Sequence, residues 1–176
     1  MPEPSQPTAQ APAPLWPLLP RLVMGGLFLF SAWQKLKPPP IIETQGTKLT
    51  LQSGPEAFVE SIRSFKLLPE LLIRPTAGAI PWTEALCGMA LILGLWARAA
   101  GLLSSLLLIA FTVAVISVIL REMNITCGCF GSFKLLCQGA VSWCKVGENS
   151  IMLALCALIA FQGPGRLSVD FARGRA

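Results

Sequence analysis

The chain has 176 residues, 53% of them apolar and only 13% charged, with a mean hydropathy of +0.63. A soluble domain of this size carries roughly 25% charged residues, so the composition excludes an ordinary soluble fold and reads as a membrane protein. The formal charge of +5 does not point to nucleic acid, because the basic residues are scattered and flank apolar segments, as membrane-edge anchors do.

Residues 1–14, "MPEPSQPTAQAPAP", hold five prolines and no lysine or arginine, and are expected to be a disordered tail rather than a cleaved signal peptide. Four apolar spans follow, at about 15–35, 76–97, 99–120 and 149–165. The first contains "LVMGGLFLFSAW", with Arg21 near its start and Trp16 and Trp33 near its ends. The second lies between Arg74 and Arg98, with Glu84 as its single charge. The third, Ala99–Leu120, has 22 consecutive uncharged residues, and the fourth has 17 between Asn149 and Gly165. A helix needs roughly 20 residues to cross the hydrocarbon core, so the middle two spans meet the requirement and the outer two need polar ends that snorkel. The remaining 166–176 form a basic tail. The expected fold is an all-α membrane protein, a four-helix transmembrane bundle occupying 15–165 with both termini on one side of the bilayer.

The first long loop, Lys37–Arg74, divides in two. "IIETQGTKLTLQSG" alternates around Gln-Gly, as a short β-hairpin does. "PEAFVESIRSFKLLPELL" sets Phe58, Ile62, Phe65, Leu68 and Leu72 at helical spacing, with Glu56, Glu60, Arg63 and Lys66 on the remaining surface. That pattern fits an amphipathic helix lying at the membrane interface, and equally one packed on the bundle. Charge does not decide the orientation: the two long loops hold more basic residues by count, the opposite side more by density.

Six cysteines stand in the chain, and four of them, Cys127, Cys129, Cys137 and Cys144, fall within 18 residues between the last two spans. Such clustering suits an oxidising compartment or a metal better than a reduced cytosol. A disulfide across Cys127–Gly128–Cys129 would strain the preferred ~90° torsion and be readily exchanged with a partner. The competing reading is a small-residue turn holding free thiols. Cys137 and Cys144 would lie ~10.5 Å apart along a continuous helix. That exceeds the reach of a disulfide unless the chain bends at Gly139. Otherwise each could act as a resolving thiol for the CGC pair, or both could complete a four-thiolate site for Cu(I) or zinc. Cys87 and Cys156 read as small packing residues.

The second span carries "IPWTEALCG", where Pro81 either opens or kinks a helix and Glu84, Cys87 and Gly88 share one face. An ionisable group inside a span faces a partner or a cavity. Arg21 is the other charge near the bundle interior, so a structural Glu84–Arg21 contact is the first expectation. A proton-handling role for Glu84 beside a quinone is the second.

"PWTE", "LILGLWAR" and "CGCFG", in that order, together with "RLVMGGLFLFSAWQKL", "AFVESIRSFKLLPELL" and "VSWCKVGENSIMLAL", resemble the DoxX-like membrane proteins and specifically their MauE (methylamine utilisation) branch, over most of residues 21–160. The resemblance implies a four-helix bundle in the bacterial inner membrane with both termini cytoplasmic. It implies that the CGC loop and the amphipathic helix are extracytoplasmic. It also implies a role in handling protein disulfides beside a thioredoxin-like or disulfide-containing periplasmic partner. By position, Cys127 and Cys129 match the family's cysteine pair and Glu84 its intramembrane acid. The stretch 41–55, the extra Cys137 and Cys144, and Glu148 depart from that pattern.

Together these features lead to the expectation of an integral membrane thiol–disulfide protein. Cys127 or Cys129 would form a mixed disulfide with the partner, and electrons would pass to Cys137 and Cys144 or to a quinone near Glu84. Two alternatives belong to other classes. One is a non-catalytic subunit or assembly factor, in contact with other membrane subunits, whose disulfides are static. The other is a Cys-based metal-binding membrane protein.

Overall fold

The computed structural model describes residues 18–38, 41–44, 47–50, 54–123, 125, 141–162 and 168. Five helices account for most of them: α1 (Leu18–Leu36), α2 (Pro55–Phe65), α3 (Glu70–Leu93), α4 (Ala97–Leu120) and α5 (Trp143–Gln162). Between α1 and α2, β1 (Ile41–Thr44) and β2 (Thr47–Thr50) pair antiparallel, with Ile41 opposite Thr50 and Thr44 opposite Thr47. The Pro-rich tail 1–14 and nearly all of the basic tail 166–176 lie outside the described residues.

Helix α1 packs along α3, and α4 along α5. The core lies where the two pairs meet, from Met24 and Phe28 of α1 through Leu91 of α3 and Leu108 of α4 to Met152, Cys156 and Ile159 of α5. The outward faces are apolar as well: Leu71, Leu86, Leu106, Leu120 and Phe161 are all exposed. A helix that is apolar on both faces, one buried and one bare, suits lipid rather than water as its outer solvent.

Glycine sets the closeness of both pairs. A Cβ on Gly25 would stand 2.8 Å from the carbonyl oxygen of Gly88, and one on Gly88 would stand 2.9 Å from that of Gly25. The α1 and α3 backbones thus touch at a reciprocal glycine contact, the small-residue solution to packing without a hydrophobic drive between helices. Gly101 does the same for α4 against Cys156 and Ala160 of α5.

Among the described residues three helices, α3, α4 and α5, are long and apolar enough to cross a membrane, one fewer than the four spans expected. The remaining long helix, α1, carries Arg21 and Lys35 within its length, which lowers its apolar character. Two boundaries also move. The second span, expected at 76–97, runs from Glu70 to Leu93, because helical geometry continues through the polar turn around Arg74 and stops at Gly94, whose φ of 66° supplies a left-handed cap. Pro81 neither opens this helix nor ends it; it sits inside it with Pro75. The fourth span, expected from 149, begins at Trp143. The amphipathic segment is not one helix to Leu72: α2 ends at Phe65, Lys66 turns left-handed at φ 51°, and α3 starts four residues later.

Candidate functional site

Arg21, Met24, Gly25, Phe28, Ser31, Ala32 and Lys35 are the buried residues of α1. They recur every three or four positions, so they form one stripe, and that stripe faces α3. Its polar members meet α3 in antiparallel order: Arg21 beside Leu91, Gly25 beside Gly88, Ser31 and Lys35 beside Glu84.

Glu84 is 2% exposed and Lys35 2%. The Lys35 ammonium pairs with Glu84 Oε1 and donates to Ser31 Oγ at 3.1 Å, while Ser31 Oγ donates to Glu84 Oε2 at 3.1 Å. The three side chains close a ring in which each carboxylate oxygen has its own donor. Above it, Lys35 Nζ lies 4.8 Å from the ring centre of Phe58 on α2 and 5.2 Å from that of Phe111 on α4. Both are within cation–π range, so the ammonium is shielded on its remaining sides by aromatic faces. Buried charges persist only when paired and hydrogen-bonded, and here both conditions hold.

The expected Glu84–Arg21 contact does not form. Arg21 sits at the far end of the same stripe, where its Nε donates to the Leu91 carbonyl at 3.0 Å. Positions 21 and 35 are 14 residues apart, roughly 21 Å along a helix axis. The antiparallel alignment of α1 and α3 therefore gives Glu84 to Lys35. A Cβ at Gly94 would overlap the Arg21 guanidinium, so this glycine both caps α3 and makes room for the cation. Lys35 and Ser31 escaped the sequence reading because Lys35 sits at a helix edge, where an anchor facing water is expected. The signal that finds it is its place on the Arg21 stripe.

A second buried acid, Glu148 on α5, accepts from Lys145 Nζ at 2.9 Å one turn earlier, with Asn149 buried beside it. Cys87 and Cys156 are free and buried, as packing residues are. Ser104 on α4 is fully buried, its hydroxyl among the apolar core.

Cys127, Cys129 and Cys137 lie outside the described residues. The two ends of their segment are described: Val141 N–H donates to the Ile125 carbonyl at 3.0 Å. The chain therefore leaves and returns through one point, between the end of α4 and the start of α5. Cys144, in the first turn of α5, is disulfide-bonded. Among the described residues no three metal-ligating side chains converge.

Apolar helices whose outer faces are bare and whose interior charges are hydrogen-bonded define a multi-pass membrane protein. The chain belongs to the MauE family: it matches the family profile described as "Methylamine utilisation protein MauE" over residues 14–162. Two relatives carry the name methylamine utilization protein MauE. The one from Paracoccus denitrificans is 29% identical over 164 residues, covering 93% of this chain and 77% of its own length. The one from Methylorubrum extorquens is 34% identical over 126 residues, covering 66% of each. No solved structure matches the chain.

Proposed function

We propose that this protein is an integral thiol–disulfide protein of the bacterial inner membrane, assisting disulfide formation or reduction in an extracytoplasmic partner of a methylamine utilisation system. The observation that carries the reading is the pinned base of the 126–140 loop, with disulfide-bonded Cys144 next to it. Residues 126–140 hold three further cysteines, and their two flanks meet between the end of α4 and the start of α5. Family membership supports the setting, and the kinship with DoxX-like proteins belongs to the same reading.

On this reading α1 is a fourth crossing. Arg21 and Lys35 do not oppose it, because both are buried against α3 and neither charge meets lipid. Both termini are then cytoplasmic, and α2, the 126–140 loop and the start of α5 share the periplasmic side. In the reaction a partner thiolate attacks the Cys127–Cys129 disulfide. One loop cysteine leaves as a thiolate, and the second partner thiol displaces the other, so the partner gains the disulfide and the loop the dithiol. Reduction of a partner is the same sequence reversed.

Differential thiol trapping in intact cells tests this. A mixed redox population of Cys127 and Cys129 that shifts when the partner is deleted is the expected result. Permanent oxidation, with normal growth on methylamine in a Cys129→Ser variant, would overturn it. That outcome would favour a second reading, a non-catalytic assembly subunit stiffened by static disulfides, for which the bond already formed at Cys144 also speaks.

A further inference from the structure

Helix α2 is flanked by left-handed residues, as α4 is by Trp96 and Glu122. It enters through Gly54 at φ 99° and leaves through Lys66 at φ 51°, so each end is a residue in the left-handed half of backbone space. Glycine adopts such angles freely; lysine does so at a cost. Changes in backbone direction are absorbed at such element-terminal positions.

Between these ends α2 rests on α3 and α1. Phe58 and Phe65 are its buried residues, and Phe58 is the side chain laid over the Lys35 ammonium. Arg121, at the end of α4, donates from Nη1 to the Phe65 carbonyl at 3.3 Å. Arg63 ties α2 to the first residue of α3 through an exposed pair with Glu70 at 2.6 Å. The buried rings of Phe58 and Phe65, one long hydrogen bond and one solvated ion pair are among the contacts that hold the helix down. Directly beneath lies the Lys35–Glu84 pair, satisfied by its own ring of partners and covered by Phe58 together with Phe111 of α4. A weakly held element over a costly buried charge is drawn from the low-stability end of a fold.

We propose that α2 is a hinged roof, turning about Gly54 and Lys66, whose opening admits water to the Lys35–Glu84 pair. The ring Lys35–Ser31–Glu84 stays intact when the roof is shut, and Phe58 is the piece that leaves when it opens. This inference does not depend on thiol chemistry, and its test reads none.

The full chain in lipid nanodiscs is treated with a water-soluble carbodiimide and glycinamide, and amidation of each carboxylate is followed by mass spectrometry. Glu56 on the water-facing side of α2 serves as the exposed reference and Glu148 on α5 as the buried one. Phe58→Ala is expected to raise the rate at Glu84 by about tenfold or more, with Glu148 unchanged. Lys66→Gly is expected to lower it below wild type, because glycine relieves the left-handed strain of the shut position. Equal rates at Glu84 in wild type and Phe58→Ala overturn the proposal. So does a rise at Glu84 matched by Glu148, which reports a loosened bundle, or a Lys66→Gly rate at or above wild type.

Discussion

Two clusters of charge lie at opposite faces of α2 and use the same chemistry to different ends. Above the helix, Arg63 bonds Glu60 at 2.8 Å and Glu70 at 2.6 Å with all three side chains in water. Hydrogen bonding to Glu70 first, then to Glu60, holds its guanidinium above the ordinary value. Below the helix, Lys35 bonds Glu84 and Ser31 in a buried site. Exposed pairs gain little and fade with salt, whereas a buried pair costs desolvation and then cannot lose a partner cheaply. Distance alone does not rank them; the surroundings do.

Breaking the lower cluster gives the largest effect. Lys35→Met leaves Glu84 buried without its cation and is expected to destabilise the bundle by about 3–5 kcal/mol. The double variant Lys35→Met, Glu84→Leu recovers most of that loss, because no lone charge remains. Chemical unfolding in detergent micelles checks both, and equal destabilisation by the single and double variants would remove the argument for pairing.

Next in size is the glycine crossing. Gly88→Ala pushes a methyl against the Gly25 carbonyl and is expected to cost about 1–3 kcal/mol. Gly26→Ala, where a Cβ meets nothing within 4 Å, is expected to be neutral or stabilising by up to roughly 1 kcal/mol. The same unfolding measurement compares the two, and a reversed order would mean that α1 and α3 do not touch there.

The upper cluster gives the smallest effect. Arg63→Ala is expected to leave the unfolding midpoint where it was, and raising the salt should shift wild type and Arg63→Ala alike. A large drop in the midpoint would show that the exposed triad, rather than the buried ring, anchors α2.

What could be read from the chain follows from which property each element depends on. Helix α4 was placed within two residues of its observed Ala97 start because its apolar run coincides with its helical run. Helices α3 and α5 began earlier than expected, since hydropathy marks where lipid starts and hydrogen bonding marks where the helix starts. Each begins with a stretch that is helical although it carries charge, Glu70 and Arg74 in α3 and Lys145 and Glu148 in α5. Glu84 was recognised as a buried acid from its isolation in an apolar run. Its partner was misassigned, because the choice between Arg21 and Lys35 depends on the alignment of two helices some fifty residues apart in sequence. The i, i+3 and i+4 stripe puts both cations on one face, and only the Gly25–Gly88 contact fixes which of them reaches Glu84. The same limit applied to Phe58: its helix was legible, but not that its ring would cover a cation from another element.

The buried cations of α1 have a consequence for how the chain is made. A helix carrying Arg21 and Lys35 is a poor substrate for lipid on its own, since each such charge resists partitioning from the insertion machinery. The groups that accept their hydrogen bonds, Glu84 for Lys35 and the Leu91 carbonyl for Arg21, are synthesised some fifty to seventy residues later. On the four-span reading α1 therefore settles as a crossing only when α3 arrives, and biogenesis becomes a pairwise event. Chains halted after α1 should insert poorly and chains halted after α3 should insert well, in a glycosylation-site insertion assay. Glu84→Leu should impair the settling of the first helix, which loses the partner of Lys35, while making α3 itself more apolar.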